Sequence, residues 1–201
     1  GVKLLHVSTD FVFSGALGRP YRETDPTGPL NAYGRSKLRG EAHVLASGAE
    51  AVVVRTSWLL NGRTGFIPAI LKRAQQGLAL NVVADQIGTP TDVDDLARAL
   101  RDIALRMADG GATRQVYHVA GSDAATWHEI ASAAVEAFAG LTGQAAPTIR
   151  PVTAAEWGAD AVRPLDSRLD SSAFQSDFGY SLPSWRSRLS DWVARFEQGR
   201  A

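Results

Sequence analysis

Not one cysteine occurs in the 201 residues, which excludes disulfide bridges and thiolate-held metal ions. Charge of neither sign predominates. The 21 basic residues match 21 acidic ones, and no run of either sign favours nucleic acid or an anionic membrane surface as a partner. No apolar stretch approaches the length of a membrane span. A glycine-rich loop between strand and helix, the usual cradle for a nucleotide, is missing as well. Its nearest approach, Gly62-Arg63-Thr64-Gly65, lacks a third glycine and the lysine of a P-loop, and reads as an ordinary loop. Metal spacing is also lacking. His6 and His118 fall in strands and His43 and His128 in helices. Asp92, Asp94 and Asp95 read as acidic residues that complement the start of a helix.

What remains is the make-up of an ordinary globular protein, 45% hydrophobic and 21% charged, with enough chain for one good-sized core or two small ones. The simplest compartment is the cytosol. The chain opens on Gly1 and enters a mostly apolar strand at once, Val2 to Val7, which reads as a fragment of something longer.

Strand and helix patterns alternate. A strand from Val2 ends at Ser8-Thr9-Asp10, and a loop with three prolines runs from Phe11 to Leu30. Helical character spans Asn31 to about Ala46. The continuous β-branched run at Ala51 to Val54 predicts a strand buried on both faces. Helices follow at 66–76 and 94–107, with a short strand at 80–83, a turn-rich stretch at 85–91 and a strand at 116–119. Thr126 with Glu129, and Thr153 with Glu156, are capping boxes that open two more helices. A last amphipathic helix spans Trp185 to Phe196. The alternation predicts a parallel α/β layer with a helix- and loop-rich region beside it.

Tyr33 and Lys37 stand four residues apart, on one face of the predicted helix. A phenol titrates near about 10, and a neighbouring cation stabilises its anion, which eases proton transfer. With Thr9 arriving from a strand end, the three groups could protonate a carbonyl oxygen. The hydride for such a reduction must come from a cofactor, since no side chain carries one. The pair alone is weakly specific. Its setting, Asn31-Ala32-Tyr33-Gly34-Arg35-Ser36-Lys37 after a strand ending in Ser-Thr-Asp, is far more so. Of the five tryptophans, Trp127, Trp157, Trp185 and Trp192 read as packing residues. Trp58, at a strand's carboxyl end where α/β proteins bind ligands, reads as a site residue.

These segments resemble a known family. Val7 to Phe13, Tyr21 to Pro26, Pro29 to Lys37, Arg55 to Trp58 and Asp85 to Thr91 are similar to the motif series of dTDP-4-dehydrorhamnose reductases, extended short-chain dehydrogenases. Arg163-Pro164, Ser167 to Asp170 and Leu182 to Arg186 resemble the family's later segments. The resemblance implies part of a Rossmann-type parallel sheet with a smaller carboxyl-terminal α+β substrate-binding region. Residues 1–60 would be the later part of the NAD(P)-binding domain, and residues 61–201 mostly the substrate cap with returning Rossmann elements. It implies Thr9, Tyr33 and Lys37 as the catalytic trio, with Ser8, Tyr33 and Lys37 at the cofactor. It sets Asp10, Trp58, Gln86, Thr89 and Arg163 around a dTDP-4-keto-6-deoxy sugar. NADPH or NADH would be the reductant. The resemblance also admits a magnesium ion and a homodimer.

The chain departs from the family pattern at Phe11, where a tyrosine is usual, and along Leu59 to Phe66, where a Tyr-Gly step normally follows the tryptophan segment. The family's opening βαβ unit, whose glycine-rich turn seats a pyrophosphate on a helix N-terminus, would precede Gly1. Two other readings share much of the motif series. One is a non-catalytic subunit resembling the regulatory beta subunit of methionine adenosyltransferase. The other is a related sugar-nucleotide epimerase or dehydratase.

Overall fold

A computed structural model describes residues 2–111 and 113–199. In chain order the elements are β1 (Lys3–Thr9), α1 (Ala32–Ala46), β2 (Glu50–Thr56), β3 (Leu59–Leu60), α2 (Phe66–Gln75), β4 (Leu80–Val83), β5 (Ile87–Gly88) and β6 (Thr91–Asp92). Then follow α3 (Val93–Ala108), β7 (Val116–His118), β8 (Ala125–Thr126), α4 (Trp127–Thr142), β9 (Ile149–Val152), α5 (Ala154–Trp157), α6 (Ser172–Phe178) and α7 (Leu189–Gln198).

The central sheet is parallel in the order β1-β2-β7. Its register pairs Thr9 with Thr56 and Arg55 with His118, so β1 and β2 end level. The Val52 to Val54 run is buried, as its β-branched sequence predicts. β1 lies at the sheet's edge, with Leu4 and Val7 more than a third exposed. The fold is therefore α/β with a parallel sheet, as the alternation predicts.

Apolar residues gather in two main cores. Ile67, Leu71, Ile130, Phe138, Trp185 and Trp192 join α2, α4 and α7 over β4. Val52, Val54, Leu96, Ile103, Tyr117 and Phe174 join the central sheet to α3 and α6. A third, smaller cluster of Val12, Phe13, Tyr21, Ala120 and Leu169 lies under the loop that follows β1.

Both capping boxes form, at Thr126 with Glu129 and at Thr153 with Glu156. The acidic triplet at the start of α3 does more than complement a dipole. Asp92 caps α3 by accepting from the amides of Asp94 and Asp95 at 2.9 and 3.1 Å, and also accepts the Trp192 indole N–H at 2.7 Å. Arg188 donates two hydrogen bonds to Asp95, and Arg195 pairs with Asp94. The triplet thereby staples the start of α3 to α7.

Some elements differ from the sequence reading. The stretch at 85–91 contains β5 and the first residue of β6. β9 pairs with β4 although it carries Arg150 and Pro151, which obscure its alternation. The last helix is split, with a 3-10 turn at Trp185–Arg188 before α7.

α1 is unusual. Its fully buried positions are Gly34 and Glu41 rather than apolar side chains. The helix is held by a close backbone approach and by charge. A Cβ at Gly34 would stand 2.2 Å from the Phe11 carbonyl oxygen, so only glycine lets α1 seat against the end of β1. Glu41 holds the other end, as described below.

Candidate active site

Two adjoining centres emerge, one polar and one apolar. The polar centre forms where β1 and β2 end. Asn31 caps α1 by accepting from the Gly34 amide at 2.8 Å, which fixes Tyr33 in the first turn. The Tyr33 ring meets Phe11 edge to face at 6.0 Å, and its residue is 55% exposed. One turn on, the Lys37 ammonium donates to the Val7 carbonyl at 2.6 Å. Tyr33 and Lys37 therefore both face the chain on either side of Thr9. The Thr9 hydroxyl donates to Asp10 Oδ1 at 3.0 Å and accepts from the Phe11 amide at 3.2 Å.

Asp10 is buried and accepts from Ser57 Oγ at 3.0 Å and Ser167 Oγ at 2.6 Å, both at Oδ2. Burial raises its carboxyl to about 6, although these hydroxyls favour the ionised form. Ser8 turns away from this group. Its hydroxyl donates to Glu41 Oε1 at 2.5 Å inside the α1–sheet interface.

Behind Ser8 lies a buried charge network that sequence reasoning missed. Arg55 donates to Glu41 from Nε at 3.0 Å and from Nη2 at 2.7 Å. His118 Nδ1 donates to the Tyr21 carbonyl at 2.9 Å, which leaves Nε2 to accept from Arg55 Nη1 at 3.4 Å. Burial first, and the guanidinium second, hold the imidazole down to about 3. A sequence signal existed: a glutamate four residues after Lys37, and an arginine directly after the apolar run Ala51 to Val54.

A pH dependence follows. The folded value of His118 lies below its ordinary 6.5. Its contribution to stability is thus complete above that pH and is lost as pH falls towards about 3. Asp10 acts in the opposite sense. Between 3.8 and about 6 its folded form keeps a proton that the unfolded chain releases, so there stability rises as pH falls. His118→Gln should flatten the acid limb of stability and leave the Asp10 contribution visible, read from urea midpoints across mildly acid pH.

The apolar centre is an open cavity of about 590 Å³. Its mainly apolar wall includes Phe66, Trp127 and Trp157, with Arg73 and Arg163 at its polar side. Trp58 links the two centres. It follows β2, and its indole stacks on Trp127 with centroids 3.8 Å apart and planes 8° apart. Among the described residues Trp58 is the one non-glycine with positive φ, at 42°, a strained conformation that its surroundings must enforce. Gly88 packs against its other side. A Cβ there would lie 2.4 Å from Trp58 Cε2. Gly88→Ala should therefore cost about 1–3 kcal/mol through overpacking, with a changed near-ultraviolet circular dichroism of the tryptophan pair.

The structure thus brings Thr9, Asp10, Tyr33 and Lys37 to one sheet end and sets Arg163 at the cavity. Gln86 and Thr89 are buried in the loop between β4 and β6 and do not line the cavity; Thr89 Oγ1 accepts from the Leu169 amide at 3.4 Å. Trp127 packs on the α2–α4–α7 core, as the sequence predicts, and also stands between Trp58 and the cavity; Trp157, expected to pack, is instead 56% exposed and lines the cavity. Among the described residues no group of three or more His, Cys, Asp or Glu is placed to hold a metal ion, and no helix is long and apolar enough to cross a membrane.

The chain is 40% identical over 189 residues to a dTDP-4-dehydrorhamnose reductase of Sinorhizobium fredii, an alignment covering 92% of this chain and 63% of the relative. A solved dTDP-4-dehydrorhamnose reductase from Clostridium acetobutylicum superposes with a TM-score of 0.82 at 27% identity, covering 96% of this chain and 65% of the other. The Bacillus anthracis enzyme of that name, solved in complex with NADP, gives 0.78 at 30% identity, covering 98% and 66%. The chain spans 63 to 65% of the length of the curated relatives it matches first. Residues 1–198 match the RmlD substrate binding domain, and the chain belongs to that family.

Proposed function

We propose that this chain supplies the proton donor and the sugar-nucleotide pocket of an NAD(P)H-dependent reductase that converts dTDP-4-dehydro-6-deoxy-L-mannose to dTDP-L-rhamnose. The observation that carries the reading is the convergence of Tyr33, Lys37 and Thr9 on the carboxyl end of β1, joined to an aromatic cavity through Trp58. The names of its relatives support the same reading.

Each group has a task. Tyr33 gives its proton to the oxygen on C4 of the sugar. The ammonium of Lys37, one turn along, stabilises the phenolate left behind. Thr9 holds the same oxygen by a hydrogen bond, with Asp10 directly behind it. Trp58 forms the side of the sugar site. Trp127 and Phe66 offer aromatic faces to the base, and the planar fork of Arg163 suits a diphosphate. Gln86 and Thr89, which do not line the cavity, would serve the substrate only through the segment that carries them.

A nicotinamide cofactor fits the residues present. Lys37 is half-buried and Tyr33 is exposed at the carboxyl end of a parallel sheet, where nucleotides bind, and both can reach the nicotinamide ribose. When bound, that cofactor supplies the hydride to C4. Residues 1–60 would serve the cofactor and residues 61–201 mostly the sugar nucleotide. The reaction draws on the cytoplasmic nicotinamide pool.

The test is to mix full-length protein with NADPH and the 4-keto sugar nucleotide. Loss of the near-ultraviolet absorbance of reduced nicotinamide is expected. No loss, together with co-purification of a methionine adenosyltransferase, would replace the reductase with a regulatory subunit. Conversion without nicotinamide loss would point to an epimerase or dehydratase.

A further inference from the structure

Three hydroxyls converge on one buried carboxylate. Asp10 is 2% exposed, Ser57 1% and Ser167 1%. Thr9 ends β1 and Asp10 follows it, Ser57 follows β2, and Ser167 comes from a segment 157 residues beyond Asp10. That segment is laced in place by its backbone. The Ser167 amide donates to the Ile87 carbonyl at 2.9 Å, the Ile87 amide to the Leu165 carbonyl at 2.7 Å, and the Tyr21 amide to the Arg168 carbonyl at 2.7 Å. Ser167 is thus held by its main chain before its hydroxyl makes any bond.

The arrangement bears on what Thr9 can do. A threonine hydroxyl has one hydrogen, and here it goes to Asp10. In this state Thr9 cannot donate to a ketone. To do so its O–H must leave the carboxylate, and a buried carboxylate stripped of its donors is costly. Ser57 and Ser167 both bond the other oxygen, Oδ2. When Thr9 turns away, Asp10 keeps two hydroxyl donors.

We propose that Ser57 and Ser167 are positioning residues that keep Asp10 hydrogen-bonded, so that the Thr9 hydroxyl is free to switch from the carboxylate to the ketone oxygen of the substrate. The proposal rests on the reductase reading above. It gives the segment carrying Ser167 a role in turnover beyond shaping the pocket.

The test is a double-mutant cycle in full-length protein with NADPH and the 4-keto sugar nucleotide. Ser167→Ala should lower kcat by roughly tenfold, the usual scale for a hydrogen bond to a charged group, with KM little changed. Ser167→Thr, which keeps the hydroxyl, should restore most of the rate. In a Thr9→Val background, Ser167→Ala should cost nothing further, because the hydroxyl it releases is already gone. Additive losses, or a loss confined to KM, would overturn the proposal while leaving the reductase intact. Absence of turnover in the unaltered protein would overturn the reductase reading and this proposal with it. Should Ser167→Ala fail to fold, Ser57→Ala enters the same cycle with the same expected non-additivity.

Discussion

Tyr33→Phe is expected to lower turnover by about 10²–10⁴-fold, the range for losing a positioned general acid, while nicotinamide binding stays nearly unchanged. The substitution removes one oxygen and leaves the ring against Phe11. Tyr33 is 55% exposed, so its loss should cost little stability. Initial rates and a cofactor titration on the same preparation separate the two effects. A variant that kept most of its rate would show that another group delivers the proton, and Lys37 and Thr9 would lose the partner that explains them.

Glu41→Ala is expected to be the most destabilising of the single changes considered, by about 3–5 kcal/mol, because it leaves Arg55 buried without its counter-charge. Glu41 is 2% exposed and Arg55 6%, and Ser8 loses its acceptor in the same step. Since Gly34 and Glu41 are the buried residues of α1, the helix that presents Tyr33 and Lys37 loses one of its two anchors. Urea unfolding would read the loss. Replacing Glu41 and Arg55 together by methionine should recover much of it, since an apolar pair of similar volume removes the stranded charge. If the double variant were no better than the single one, the network would matter for more than its charge balance.

The sequence made the sheet and the major helices legible because their signals are local. The β-branched run at Val52 to Val54, the Thr–Glu capping boxes and the spacing of Leu96, Leu100 and Ile103 each act within a few residues. Tyr33 and Lys37 were legible for the same reason, being one helical turn apart. What escaped were elements made by pairing. β9 exists because β4 lies beside it, and Arg150 and Pro151 conceal it from any period. The partners of Asp10 escaped likewise. Ser57 and Ser167 meet the carboxylate only after folding brings three distant segments together. Trp127 packs as its place at a helix start predicts, whereas Trp157, which also falls on a helix, is 56% exposed and lines the cavity, because what covers a helix face is decided by segments far away in sequence.

The most direct test follows a label. Full-length protein would be given nicotinamide cofactor carrying deuterium on the transferred side of its ring, with dTDP-4-dehydro-6-deoxy-L-mannose, and the sugar product examined by mass spectrometry and NMR. The expected result is direct hydride transfer to the sugar, which gives dTDP-L-rhamnose bearing a single deuterium at C4. Unlabelled product, or deuterium at any other carbon, would contradict it.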